Sequence, residues 1–156
     1  MQVSAKADYA LRAMIELAAA ADQAGRRGSL TGAGISEAQD IPRKFLQNIL
    51  SDLTRAGLAR TQRGAGGGYR LGKEPGEITL ADIIRAVEGP LANVRGEWPE
   101  ELAYSGAAEP LLEVWIALRA SMRSVLEGTT LADLAAGELP ASVLELTRHA
   151  SAWHHH

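Results

Sequence analysis

Residues 35–71, ISEAQDIPRKFLQNILSDLTRAGLARTQRGAGGGYRL, read in succession as a helix, a turn, a second helix and a glycine-tipped hairpin. On a wheel of about 100° per residue, Pro42 to Ala56 sorts into two faces. Phe45, Leu46, Ile49, Leu50 and Leu53 fall on one side. Arg43, Lys44, Gln47, Asn48, Ser51, Thr54 and Arg55 fall on the other, with Asp52 at the border, so the polar face carries cations and carboxamides and no carboxylate. Pro42 suits a first helical position, where a missing N–H costs nothing, and Gly57 suits the left-handed stop after the last turn. Arg and Lys bind phosphates or guanine edges, and Asn and Gln bond adenine bidentately, so this face has the groups that major-groove reading needs. Taken alone, it is equally well a solvated helix face.

The hairpin behind it shifts the balance. Leu58–Arg63 and Tyr69–Leu71 read as short strands joined by Gly64-Ala65-Gly66-Gly67-Gly68, flanked by Arg60, Arg63 and Arg70. Four glycines in five residues let the tip take positive φ and approach a groove closely. A nucleotide-binding phosphate loop is the competing use, but it wants a helix opening at the last glycine together with a lysine and a hydroxyl. Strand-like Tyr69-Arg70-Leu71 follows instead. The pattern predicts a mainly α fold with a small β-wing, that is, a winged helix-turn-helix.

The sequence resembles the Rrf-two family of bacterial winged helix-turn-helix transcription regulators. The resemblance rests on Ser4-Ala5-Lys6-Ala7-Asp8-Tyr9-Ala10, on ISEAQDI, on Leu46 through Leu58, on RGAGGGYRLG from Arg63, on ITLADIIRAVEGP from Ile78, and more loosely on TTLADLA from Thr129. It covers the first ninety residues well. It implies a DNA-binding domain over 1–90, a connecting and possible sensing segment over 91–110, a dimerisation helix with a short following helix over 111–136, and a tail over 137–156. Sensing members keep cluster-binding cysteines in the connecting segment, and some relatives supply an aspartate at the place of Asp8. This chain has no cysteine at all, so the expected cofactor is none and the expected metal site is none. Asp8 alone cannot hold a cluster.

Composition agrees without deciding. The 156 residues, 46% of them hydrophobic, suffice for one ordinary domain with an accessory. Their net charge of −3 hides a segregation. Residues 1–78 hold eleven Lys or Arg against eight Asp or Glu, and residues 79–156 hold five against eleven. Positive charge therefore lies with the candidate DNA surface. No apolar run approaches membrane-spanning length and no leader pattern opens the chain, so the expected location is cytoplasmic, with no membrane partner.

Around this nucleus, a first helix is expected from after Ser4 to about Ala21, a loop over Gln23–Gly34 containing Arg26 and Arg27, and a short supporting helix over Ile35–Gln39. Thr79 with Asp82 reads as a capping box for a helix whose buried stripe is Ile83, Ile84 and Val87, ended by Gly89-Pro90. Leu91–Pro110 lacks periodicity, and its Trp98 and Tyr104 are candidates to line an effector pocket. Leu111, Trp115, Leu118, Met122 and Val125 are spaced four, three, four and three, which is a coiled-coil seam. Packing against its own domain is the competing use of that helix; the resemblance favours dimerisation. Thr130 with Asp133 caps the next helix, and Leu139, Val143, Leu144 and Leu146 suit one more. The terminal His154-His155-His156 reads as the remnant of a purification tag.

The sequence thus predicts a homodimeric, sequence-specific DNA-binding repressor that is no enzyme, since no histidine precedes His149 and no nucleophile is paired with a base. Its expected DNA contacts are Arg43, Lys44, Gln47, Asn48, Ser51 and Arg55 from the helix and Arg63, Gly64, Gly66, Gly67 and Tyr69 from the wing. A small molecule or a protein is the expected effector. The alternative is a protein-interaction module whose winged helix has lost DNA affinity.

Overall fold

In the computed structural model, residues 2–24, 28–65 and 67–154 are described. Helices α1 (Ala5–Ala24), α2 (Gly32–Gln39) and α3 (Arg43–Arg55) lead into strands β1 (Ala59–Gln62) and β2 (Gly68–Leu71). After them come α4 (Leu80–Glu88), α5 (Leu111–Glu127), α6 (Leu131–Ala136) and α7 (Ala141–Thr147). The fold is the predicted one, mainly helical with one antiparallel two-stranded wing in the register Ala59↔Leu71 to Gln62↔Gly68.

Helix α1 is the central pillar. Ala10, Ala13, Met14, Leu17 and Ala18 are buried along it, and the small side chains let α3, α4 and α6 close around it. Ile35, Leu46, Ile49, Leu50, Leu53, Leu58, Ile78, Ile83, Val87 and Leu131 complete one apolar cluster. Leu131 belongs to α6, so the short helix after α5 packs into the winged-helix core.

That return is organised by two copies of one local device. Thr79 and Asp82 form a capping box at the start of α4, and Thr130 and Asp133 form the same box at the start of α6. The two starts pair through a Thr79↔Thr130 bridge, with Leu80 N–H donating to Thr129 O and Leu131 N–H donating to Ile78 O, each at 3.0 Å. Both helices therefore begin side by side, and the chain from Gly89 to Gly128 is an excursion between them.

Several expectations are corrected. Helix α1 runs to Ala24, and α2 opens at Gly32 rather than Ile35, because Thr31 Oγ1 accepts from Gly34 N–H and makes a helix start out of a stretch whose glycines suggest a loop. Arg26 and Arg27 lie outside the described residues. Pro42 occupies the N-cap, one place before the helix it was expected to open. Phe45, assigned to the apolar face, is 61% exposed, since the core takes only the narrower stripe of Leu46, Ile49, Leu50 and Leu53. Ile84 is only half-buried, on the flank of α4.

Lys6 fastens the pillar to the helices around it. Its ammonium donates to Asp52 Oδ2 on α3 at 2.8 Å and to Val87 O near the end of α4 at 2.7 Å. The hydrogen bond from Lys6, helped by the charges of Lys6 and Arg55, outweighs partial desolvation and holds the Asp52 carboxyl below its ordinary value of 3.8. A carboxyl pKa lowered by folding adds stability that is present above the unfolded value and lost as pH falls through the folded one. Because Lys6 is 41% exposed, solvent screens the pair. Lys6→Met should therefore cost only about 1 kcal/mol at neutral pH. In urea unfolding, the gap between wild type and variant should narrow as pH is taken below 3.8.

Candidate nucleic-acid interface

Burying Leu46, Ile49, Leu50 and Leu53 leaves the opposite face of α3 to solvent. Arg43, Lys44, Gln47, Asn48, Ser51 and Arg55 are all exposed, and Thr54 is half-buried, its hydroxyl donating to Leu50 O at 2.7 Å. Among the described residues, Arg43 and Lys44 make no ion pair, while Arg55 Nη1 reaches Asp52 Oδ1 at 3.3 Å. Asp52, the one carboxylate of the helix, is thus held by Lys6 and Arg55, and the outward face presents donors and carboxamides. Helix α2 precedes α3 across Asp40, whose left-handed φ of 50° ends α2 and turns the chain.

Phe45 is the residue the wheel misplaced. It lies beside Asn48 one turn on, with its ring in solvent, and an exposed aromatic there offers apolar contact to a thymine methyl. Its position 90° from the centre of the buried stripe was the available signal.

The wing stands beside the start of α3. Leu30 N–H donates to Tyr69 O at 2.9 Å and Tyr69 N–H donates to Leu30 O at 2.7 Å, so the segment before α2 pairs briefly with β2. Tyr69 is half-buried and, with Thr31, Arg43, Lys44 and Gln47, lines a cleft of about 550 Å³ between wing and helix. Arg63, Gly64 and Ala65 are exposed at the tip, with Gly64 at φ +108°. Arg60 stands directly opposite Arg70 in the hairpin, a like-charged pair that a polyanion would relieve. Gly66 lies outside the described residues.

Gly67 is constrained differently from the expectation of positive φ. A Cβ there would come within 2.7 Å of Gln62 O and 2.8 Å of Gly64 O, so glycine is needed for close approach across the turn. Gly68 combines both demands, with φ +149° and a Cβ that would meet Leu30 O at 2.4 Å.

The candidate effector residues part company. Trp98, 44% exposed, lines a cleft of about 490 Å³ between α4 and α5. Tyr104 turns to the seam instead, its hydroxyl accepting from Trp115 Nε1–H at 3.0 Å. The seam residues Leu111, Trp115, Leu118, Met122 and Val125 lie along α5, and no residue of that helix is buried.

Comparison with known proteins follows the same lines. The profile of the Rrf2 (Rrf-two) family, described as an iron-dependent transcriptional regulator, matches residues 3–137. The chain is 46% identical, over 99% of each length, to the Mycobacterium tuberculosis protein Rv1287, whose name assigns it provisionally to the HTH-type transcriptional regulators. Its fold superposes on that of CymR, the global cysteine regulator of B. subtilis, with a TM-score of 0.73 and 38% identity, covering 87% of this chain and 97% of that one. It superposes on T. potens IscR with a TM-score of 0.68 and 29% identity, covering 99% and 97%. The iron in the family's description meets no matching donors here. The chain has no cysteine, and among the described residues no three His, Asp or Glu side chains converge to hold a metal ion. An iron-sulfur cluster, which needs thiolates, does not fit this chain.

Replacing Gly67 by Val should distort the wing without unfolding the core. Amide exchange in β1 and β2 should speed up while that of α1 and α3 stays slow, and DNA affinity should fall. Unchanged exchange in the hairpin would mean the tip accommodates a side chain.

Proposed function

The chain belongs to the Rrf2 family of DNA-binding transcriptional regulators and is no enzyme, and we propose that it works as a homodimeric repressor reading two half-sites. Gln47 and Asn48 meet base edges in the major groove, Arg43, Lys44, Ser51 and Arg55 meet phosphates or guanine, and Phe45 meets a thymine methyl. Arg63 and Gly64, with the turn residues Gly66 and Gly67, carry the wing into the adjacent minor groove, and Tyr69 lines the approach between wing and helix. The observation that carries this reading is the solvent-exposed face of α3 formed by Arg43, Lys44, Gln47, Asn48, Ser51 and Arg55, with the helix's only carboxylate held by Lys6 and Arg55.

Dimerisation runs through Leu111, Trp115, Leu118, Met122 and Val125. A seventeen-residue helix with none of its side chains buried, and with Val114 55% exposed, leaves apolar surface that a second copy would cover. No helix among the described residues is long and apolar enough to cross a membrane, and we place the regulator in the cytoplasm. Its effector is a small molecule or a protein acting on residues 91–110.

Selection of bound fragments from random DNA tests the reading directly, and recovery of no preferred sequence would favour the protein-interaction role. On the selected site, Gln47→Ala or Asn48→Ala should cost roughly 1 to 3 kcal/mol, with smaller losses on random DNA. Arg43→Ala or Lys44→Ala should weaken both DNAs and flatten the salt dependence. Equal losses for all four variants on both DNAs would leave α3 with a positioning role only.

The dimer has its own test. Leu118→Asp would bury an unpaired charge in the seam, so sedimentation should find monomers or precipitate. A soluble dimer of that variant would move the interface elsewhere.

A further inference from the structure

The cleft between α4 and α5 brings together more positive charge than its carboxylates neutralise. Arg85 comes from α4, and Arg119 and Arg123 come from successive turns of α5. Glu127 accepts from Arg85 and, at 3.0 Å, from Arg123 Nε–H, while Glu100 accepts from Arg119. Three guanidiniums thus share two carboxylates, and each spends one hydrogen bond on them, leaving its remaining donors without a protein partner among the described residues. Arg119 is only 16% exposed at its side chain, so its charge is partly desolvated. The other wall is apolar, built from Gly89, Pro90, Leu91 and the half-exposed indole of Trp98. A volume of about 490 Å³ is in the range of small-molecule sites.

We propose that this cleft binds a small organic anion, its carboxylate or phosphate held by Arg119 and Arg123 with Arg85 and its planar or apolar part laid against Trp98. The inference deepens the effector reading above and rests on it. Guanidinium groups suit such anions because their forked donors match two oxygens at once. Glu127 of α5 already reaches α4 through Arg85 and also accepts from Arg123 of its own helix, and the ligand's oxygens compete with that internal carboxylate for the same donors. Helix α4 is fixed in the winged-helix core by Ile83 and Val87, whereas α5 carries the seam. An anion drawing Arg85 toward Arg119 and Arg123 therefore alters how α5 is set against the DNA-binding unit. Whatever factor it imposes on DNA affinity, DNA imposes on its affinity in return.

Calorimetric titration of the full chain without DNA is the test, using phenyl phosphate and benzoate as probes, benzamide as the uncharged counterpart of benzoate, and inorganic phosphate as the anion without a ring. Phenyl phosphate and benzoate should bind saturably at one site per chain, inorganic phosphate more weakly and benzamide not at all. Arg119→Gln, Arg123→Gln and Trp98→Ala should each weaken phenyl phosphate roughly tenfold or more. Arg43→Ala with Lys44→Ala should leave it unchanged. Absence of saturable heat, benzamide binding as well as benzoate, inorganic phosphate binding as tightly as phenyl phosphate, or loss of binding in the α3 variant in place of the cleft variants would each overturn the proposal. Because no DNA is present, the results at the cleft variants do not bear on base reading by α3, and failure of DNA selection would leave the titration interpretable.

Discussion

The ammonium of Lys6 sits where three helices meet, and the outward face of α3 depends on what it does there. It bonds Asp52 on α3 and the carbonyl of Val87 on α4 from the second residue of α1. An amphipathic helix needs only its apolar stripe to be docked, but a helix presented to a polyanion also needs its carboxylates removed from the approach. Asp52 lies at the border of the polar face, and left free it would oppose phosphate. Tied to Lys6 and Arg55, it fixes the rotation of α3 and leaves Arg43 and Lys44 as the uncompensated charges of the first turn. One ion pair, modest in free energy because it is partly solvated, thus joins the packing of the domain to the sign of its surface.

A second constraint sets where α5 can go. The sequence Thr-Leu-Ala-Asp occurs at residues 79–82 and again at 130–133, and both copies fold into the same capping box. Pairing of the two starts brings the end of α5 back to the beginning of α4. A long helix fixed only at one end would fray or swing. This one is fixed at its C-terminal end by backbone hydrogen bonds, by the burial of Leu131 and by the Arg85 to Glu127 pair, and near its middle by Arg119 to Glu100. Any reorientation of α5 is therefore felt at the two capping boxes and in the core beneath them.

The helix-turn-helix, the wing, the caps and the span of α5 were legible in the sequence because each is specified locally, by a 3.6-residue period, a glycine cluster or a Thr-x-x-Asp pair. Failures arose where a local pattern has two outcomes. Phe45 lies on the edge of the apolar arc, and only the width of the surface packed against α3 determines whether an edge position is buried. The glycines of Gly32 and Gly34 resemble a loop until Thr31 caps them. Gly67 reads in the sequence as a site for positive φ, but its constraint is the proximity of two carbonyls, which depends on the register of the hairpin. The arginine cleft was invisible because its members are separated by up to thirty-eight positions and each, alone, reads as a solvated charge.

The segment from Leu91 to Pro110 is held in place without thiolates. Ala92 and Arg95 both adopt left-handed φ, at 53° and 56°, a conformation that costs non-glycine residues energy. A metal cluster would hold such a segment by coordination. Here Leu91, Pro99 and Leu102 are buried on either side of it, Val94 and Glu97 exchange two 3.0 Å backbone hydrogen bonds, and Glu100 is drawn to Arg119. Apolar anchors and an ion pair thus keep Trp98 at the mouth of the cleft. A site preformed in this way spends little of its binding free energy on ordering the chain. What remains to the ligand is the exchange of one anionic partner for another among the same arginines, and that exchange is sensitive to the position of α5, because Arg85 belongs to one helix and Arg119 and Arg123 to the other.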